Sequence, residues 1–266
     1  MIKRYYATQD NTITNAFEEN LTTRGTGSNA GQADILETFT IYGQTSSSAS
    51  GYSKEKSRIL IQFDVNKIQQ DRDNGIVPSD ATYYLKMYNA SHSRTLPRNY
   101  TLEVLELAAE WQEGNGLDLD YHEDLTYDIV GSNWIRRSGS TSWSSQGGDT
   151  TGDPFNVTFE IGNEDLEVNV TSMVTNWLSN NYGAMVRISS SLEDQDASYY
   201  TKRFYARSTD RYFDKPVIEA RWDDSKLDDR GAFYASSSLA PAADNLNTLY
   251  LYNYVRGKLT NIPDRS

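Results

Sequence analysis

The feature that most restricts how this chain can fold is an alternating pattern in residues 57–65. Apolar side chains occupy every second position there: Ile59, Ile61, Phe63 and Val65. The polar residues Gln62 and Asp64 lie between them, and Arg58 precedes them. Because successive side chains of a strand point to opposite faces, the stretch predicts a half-buried β-strand with its apolar face in a core.

Short β-type runs separated by polar turns continue along the chain, most clearly at residues 81–88, 102–107 and 216–222. Surface loops rich in Ser and Gly are predicted at residues 44–57 and 138–154. Strands and turns at this spacing are typical of a sandwich rather than an α/β fold. We therefore predict an all-β fold, a jelly-roll-like β-sandwich. Three further residues are predicted to lie in its core: Leu85, Trp177 and Val217.

One short helix is predicted as a firm part of this fold. It begins at Thr171, whose hydroxyl is expected to cap the amide groups of the next turn, and it places Met173, Val174 and Trp177 on one face. This helix is expected to lie across an open end of the sandwich with Trp177 as its anchor. Residues 65–75 are also compatible with a short polar helix that ends at Gly75.

The order of these features resembles the DNRLRE-type β-sandwich module. The resemblance spans roughly residues 5–222 and is carried by six stretches: 58–65, 81–88, Trp111 with Glu113, Asn133 with Trp134, 169–177, and Asn181-Tyr182-Gly183. Position 169 carries Asn where the family usually has Asp. The resemblance implies a jelly-roll domain of secreted and cell-surface proteins, some members of which look like carbohydrate-binding modules.

A second resemblance lies in the amino-acid sequence of three segments. Residues 1–7, 28–31 and 237–245 are similar to segments of virion structural proteins of marine tailed phages. It implies a non-enzymatic structural protein on the phage surface, in the tail, neck, fibre or capsid. Its implied partners are other virion proteins, with a homo-oligomer expected. Its work would be assembly, together with contact to the host surface. The alternatives are a carbohydrate-binding module for surface polysaccharide and a glycan-cleaving enzyme.

Composition restricts the partners of the chain. The formal net charge of −12 opposes binding to nucleic acid, and Lys and Arg are scattered along the 266 residues. The absence of cysteine excludes disulfides and thiol nucleophiles. No apolar run is long enough for a signal peptide or membrane span, so we expect synthesis in the host cytoplasm without a signal peptide and no membrane insertion.

Sequence signatures of catalysis are missing. The two histidines, His92 and His122, lie in separate segments without a nucleophile motif, and no zinc-binding His-Glu-x-x-His helix is present. A carboxylate pair for glycoside cleavage could be drawn from Glu110 and Glu113 or from the acidic residues between 118 and 128, but such a pair needs a defined separation across a cleft, which sequence spacing does not show. We therefore expect a protein that is not an enzyme and has no organic cofactor.

An acidic cluster is the candidate metal site. Asp118, Asp120 and Asp124 are its principal members, with Glu123 and Asp128 nearby. Carboxylate oxygens are the ligands that Ca²⁺ prefers, and a structural calcium ion is therefore one interpretation. The other interpretation is a solvated acidic loop, because the spacing fits no EF-hand.

Exposed aromatic residues are the candidate ligand platform. Trp143 is surrounded by small polar residues, and Tyr199 and Tyr200 precede a strand predicted at residues 202–206. These three side chains are predicted either to stack on a sugar ring or to pack against another protein. The other four tryptophans are predicted to lie in the core or in closing strands: Trp111, Trp134, Trp177 and Trp222.

The character of the chain changes after Trp222. Residues 1–222 are predicted to form the sandwich domain, and residues 223–266 a linker followed by an arm or the start of a second β domain. Within this extension residues 248–259 read as one further strand. Because an unpaired strand exposes backbone donors and acceptors, we expect it to pair with a neighbouring subunit, with a further downstream domain or with the edge of its own sandwich. Its assembly face would consist of three tyrosines: Tyr250, Tyr252 and Tyr254.

Overall fold

The computed structural model describes residues 1–18, 21–43, 53–92, 96–117 and 130–225, and, of the C-terminal segment, residues 228, 230, 231, 239, 241, 243, 247–255, 258–260 and 262. Twelve of its strands precede that segment: β1 (Ile2–Thr14), β2 (Ile35–Gly43), β3 (Ser53–Phe63), β4 (Thr82–Met87), β5 (Tyr100–Leu107), β6 (Arg136–Ser138), β7 (Thr141–Ser142), β8 (Thr150–Phe159), β9 (Leu166–Asn169), β10 (Ala184–Ile188), β11 (Tyr199–Tyr205) and β12 (Val217–Arg221). The helices are α1 (Val65–Asp73), α2 (Thr171–Trp177) and α3 (Ser190–Glu193).

The strands form a nearly closed, sandwich-like barrel, which confirms the all-β prediction. The main path of antiparallel neighbours runs β8-β5-β10-β3-β1-β12-β4-β9, and β2 pairs with both β3 and β11. β1 belongs to both sides of the sandwich, because residues Ile2 to Tyr6 pair with β12 whereas residues from Ala7 onward pair with β3. The register shifts between Ala7 and Gln9, a bulge that lets one strand turn from one sheet into the other.

The alternating face of β3 lies in the core, as its sequence predicts. The six core residues named from sequence are each at most 1% exposed: Ile59, Ile61, Phe63, Leu85, Trp177 and Val217. Phe63 and Trp177 stack with ring centroids 6.2 Å apart, so α2 packs against the end of β3. This contact fixes Trp177 as the anchor of the helix.

Two helical details differ from the predictions, and one agrees with them. The polar helix anticipated at residues 65–75 forms as α1, where Asp64 accepts hydrogen bonds from the amides of Asn66 and Lys67. The short helix α3 was not predicted from sequence. Thr171 is not the cap of α2. Its hydroxyl donates to Asn169 Oδ1 at 2.7 Å and accepts from the amide of Tyr83 at 2.9 Å, so it is committed to β4 instead of the first helical turn.

The Asn-Tyr-Gly stretch of the sequence connects α2 to β10 and fixes the end of β3. Asn181 donates through Nδ2 to the carbonyl of Phe63 at 2.7 Å, and its own carbonyl accepts from Gln62 Nε2 at 2.9 Å. Gly183 has φ +83°, and a Cβ added there would lie 2.2 Å from the carbonyl oxygen of Ile61. Only glycine therefore fits at this close approach of two backbones.

The C-terminal extension contains a hairpin, not one long strand. Two further short strands, β13 (Tyr254–Val255) and β14 (Lys258–Leu259), pair with each other in antiparallel register. The amide of Thr260 also donates to the carbonyl of Asn253 at 2.7 Å. The backbone groups of β13 and β14 thus find partners within the extension, which corrects the prediction of a single strand over residues 248–259.

Candidate functional site

The outer face of the sheet around β3 carries a second apolar core. Leu60 points away from the main core, yet it is fully buried. It lies in a cluster with side chains from β1, β5, β10 and the following loops: Ile13, Leu107, Trp111, Trp134, Trp143 and Met185. The loop region after β5 therefore covers a sheet face that would otherwise meet water.

Trp143 belongs to this cluster and is 5% exposed. Its Nε1 donates to the carbonyl of Asn133 at 2.9 Å, so the indole is fixed on its polar edge as well as packed on its faces. The burial of Trp143 contradicts its interpretation as a sugar platform. Polar neighbours in the sequence did not reveal this, because Leu60 and Met185, which it covers, come from distant strands.

The two other tryptophans of the cluster are buried, as predicted. Trp111 donates through Nε1 to the carbonyl of Tyr182 at 2.9 Å. The guanidinium of Arg58 lies 5.1 Å from the ring centroid of Trp134 and makes two hydrogen bonds to the carboxylate of Glu193, at 3.1 and 2.6 Å. Arg58 therefore links the tryptophan cluster to α3, and its role here is structural.

A shallow cleft of about 120 Å³ opens beside the tryptophan cluster. It is lined by Glu110, Trp111, Gln112, Arg137 and Ser138. Sites for small molecules usually enclose roughly 300–1,000 Å³. Because the cleft is smaller than that and the Trp111 ring is buried, the cleft offers no stacking surface for a sugar.

A partly buried ion cluster lies near this cleft and includes the sequence-predicted Glu113. Arg207 donates to Glu113 through Nε at 2.6 Å and Nη2 at 2.5 Å, and its backbone amide donates to Asp10 Oδ2 at 2.6 Å. Burial raises the pKa of Asp10 to about 7; the charge of Glu113 adds to this rise, while Arg207 and Lys215 oppose it. Asp10 and Arg207 are 197 positions apart, so no local pattern could have predicted their contact.

Asn29 connects the loops around this ion cluster. It is fully buried, its Nδ2 donates to the carbonyls of Glu113 at 2.6 Å and Ser132 at 2.8 Å, and its Oδ1 accepts from the amide of Gly116 at 2.8 Å. A Cβ on any of three glycines around it would come within 2.6 Å of Asn29: Gly114, Gly116 and Gly131. The Asn29 stretch singled out from sequence thus has a structural role.

Tyr199 is the exposed aromatic residue of the predicted platform. It is 62% exposed at the start of β11, and its ring stacks on Tyr200 with centroids 4.9 Å apart. Tyr200 in turn contacts Tyr100, whose ring centroid is 5.6 Å away, and packs against the main core. Of the three predicted residues, Tyr199 therefore presents one ring face to solvent, and Tyr200 packs against its other face. Trp143 belongs to the separate buried cluster.

The predicted metal ligands Asp118, Asp120 and Asp124 lie outside the described residues. Across the part of the chain that the structure describes, no group of three or more His, Cys, Asp or Glu side chains is placed to hold a metal ion. The calcium interpretation therefore stays a prediction.

The C-terminal segment presents a run of exposed apolar side chains that includes the three predicted tyrosines. Among the described residues, seven such side chains lie between residues 249 and 262, with exposures from 37% to 66%: Leu249, Tyr250, Leu251, Tyr252, Tyr254, Leu259 and Ile262. Asp228 accepts from the amide of Tyr250 at 3.0 Å, and Arg230 donates to the carbonyl of Tyr250 at 3.1 Å. The segment is thus held against the start of the extension while its apolar side chains face outward.

Comparison with protein families and curated proteins identified no relative of this chain. No protein-family model matches the chain, and no curated protein matches it significantly. None of the helices in the described residues is long and apolar enough to cross a membrane. The similarity to the DNRLRE module and to phage virion proteins therefore stays a prediction from sequence.

Proposed function

We propose that this chain is a non-enzymatic structural protein on the surface of a tailed-phage particle, and that its C-terminal segment joins it to neighbouring virion proteins or to further copies of itself. The observation that carries the proposal is the run of exposed apolar residues from Leu249 to Ile262. Soluble proteins seldom expose so many large apolar side chains together unless a partner covers them. Tyrosine, which supplies three of the seven, is also enriched at protein interfaces.

The rest of the molecule supports a scaffolding role. The sandwich has two apolar cores, and charged groups in and near them form contacts such as Arg58 with Glu193 and Arg207 with Glu113. Such contacts hold loops and strands in place. The assembly role accordingly falls to the extension.

The decisive experiment compares four forms of the chain in phage assembly. Mass analysis of purified virions locates the wild-type chain, and a truncated chain ending at Asp224 is expected to fold as a sandwich but to be missing from the particle. A variant with Tyr250, Leu251 and Tyr252 changed to Ser is expected to behave like the truncated chain. Its matched control changes Tyr212 and Phe213, which are 58% and 74% exposed elsewhere on the surface, to Ser.

Three results would contradict the proposal. Incorporation of the truncated chain at normal occupancy would show that the extension has no assembly role. A truncated chain that is monomeric but unfolded would show that the extension belongs to the sandwich instead. Loss of incorporation in the Tyr212 and Phe213 control alone would place the interface at that second site.

The second candidate function is carbohydrate binding, and the exposed Tyr199 ring is the observation that favours it. A rigid aromatic face supported from below is a common platform for stacking. A glycan array with the purified chain tests this candidate, with Tyr199→Ala as the variant and Phe213→Ala as a matched control. Binding that survives Tyr199→Ala, or an array without signal, would remove Tyr199 as a sugar platform.

A further inference from the structure

The side chain of Lys202 is buried where β11 meets the chain just beyond β4 and closes the barrel. The residue lies in β11 and has no exposed surface. Its Nζ is 4.7 Å from the ring centroid of Phe159 and 5.2 Å from that of Phe204. It donates to three oxygens: Asn89 Oδ1 at 2.7 Å, the Gly162 carbonyl at 3.0 Å and the Glu164 carbonyl at 2.6 Å. None of these acceptors carries a charge, and a buried cation without a bonded anion is costly.

The two nearby carboxylates are engaged elsewhere. Glu164 accepts from the backbone amides of Glu160 at 2.9 Å, Ile161 at 2.7 Å and Gly162 at 2.7 Å. Asp165 accepts from the backbone amide of Asn89 at 2.8 Å. Burial lowers the pKa of Lys202 to about 8, although the charges of Glu164 and Asp165 oppose this shift. A substantial fraction of the Lys202 amine is therefore in its neutral, nucleophilic form near physiological pH.

The amide carbon of Asn89 lies within reach of this amine. Nζ is 2.7 Å from Asn89 Oδ1, and Oδ1 is bonded to Cγ at about 1.2 Å, which places Nζ about 3–4 Å from Cγ. Reacting atoms held at about 3–3.5 Å gain the rate advantage of a near-attack geometry. Asn89 itself is only partly buried, so a small leaving group has a route to solvent.

The contact joins two strands that otherwise have few backbone bonds between them. Asn89 and Phe204 form an isolated bridge just beyond β4, flanked by hydrogen bonds from Ala90 N to Arg203 O at 3.1 Å and from Tyr205 N to Tyr88 O at 3.0 Å. The bonded side chains are 113 positions apart. A covalent link across such a long loop would restrict the unfolded chain strongly.

We propose that Lys202 and Asn89 form an intramolecular isopeptide bond. The lone pair of Lys202 Nζ forms a bond with Asn89 Cγ, and the bond between Cγ and Nδ2 breaks. Nδ2 takes one proton from Nζ and leaves as ammonia. No electron is transferred and no co-reactant is needed, because an amine and a primary amide become a secondary amide and ammonia.

Mass spectrometry of the purified, denatured full-length chain tests the proposal directly. The expected mass is that of the sequence less one molecule of ammonia, and a protease digest is expected to contain one branched peptide that joins Lys202 to Asn89. The full sequence mass, or unlinked peptides carrying Lys202 and Asn89, would overturn the proposal. This test needs no variant and so does not depend on how a substitution affects folding.

Variants then assign the chemistry to the two residues. Lys202→Met and Asn89→Ala are each expected to restore the full mass of their sequences, and ammonia loss that persists in either would place the reaction at other residues. Asn89→Asp is expected to lose water instead of ammonia, because a carboxyl group then replaces the amide. Ammonia loss from Asn89→Asp would likewise overturn the assignment.

Discussion

Glu113 holds the guanidinium of Arg207 with both of its carboxylate oxygens. Nε lies 2.6 Å from Oε1, and Nη2 lies 2.5 Å from Oε2. Oε1 also accepts from the backbone amide of Asp10 at 2.8 Å. These donors occupy the oxygens that a glycosidase carboxylate would present to its substrate, and together they tie β1 to the chain that follows β11.

The first prediction is that Glu113→Ala destabilises the fold and that no glycan-cleaving activity depends on Glu113. Loss of charge-assisted hydrogen bonds at a partly buried site is expected to lower the free energy of unfolding by about 1.5–3 kcal/mol. Chemical denaturation measures this loss, and Glu110→Ala, at an exposed position, is the control. Sugar release by the wild-type chain that disappears in Glu113→Ala but persists in Glu110→Ala would instead assign Glu113 a catalytic role.

The second prediction concerns pH and Asp10. Burial raises its pKa to about 7 in the fold, above the value of about 3.9 for an unfolded Asp. Between these values the folded chain binds the proton more tightly than the unfolded chain does, so this group lowers stability as pH rises from about 4 to about 7. Asp10→Asn, which cannot ionise, is expected to flatten the decline in that window. Denaturation midpoints across the window measure it, and equal slopes for the two proteins would contradict the prediction.

The third prediction separates Trp143 from Tyr199. Trp143→Ala is expected to lower the free energy of unfolding by about 3–5 kcal/mol, because it leaves a cavity in the second apolar core. Tyr199→Ala removes a ring that is 62% exposed, so its effect on unfolding is expected to be much smaller. Urea denaturation of both variants decides the point. Equal, small losses of unfolding free energy in both variants would mean that Trp143 does not stabilise the second apolar core.

The fourth prediction compares two glycines with positive φ. Gly183→Ala forces a Cβ to 2.2 Å from the carbonyl oxygen of Ile61, and the chain is expected to unfold or lose several kcal/mol. Gly152→Ala, at φ +72° with no atom within 4 Å of the added Cβ, is expected to cost only about 1 kcal/mol. Thermal melts of both variants measure the difference. Similar melting temperatures would show that the backbone at Gly183 can move aside.

Local sequence was sufficient for the parts of the fold that depend on one strand or one helix. The alternation of Ile59, Ile61 and Phe63 decided which face of β3 enters the main core, because the two-residue period of a strand is fixed by its backbone. The apolar face of residues 171–178 likewise predicted both α2 and its anchor Trp177. These features need no knowledge of distant residues.

Tertiary structure alone decided the contacts between distant segments. Leu60 and Trp143 are buried because the loops after β5 cover the outer sheet face, and Lys202 meets Asn89 because the barrel closes between β11 and β4. Tyr199 stays exposed although it resembles Trp143 in its polar surroundings. Burial and pairing at such positions depend on which strands become neighbours, and strand order is a property of the whole chain's packing that no local period encodes.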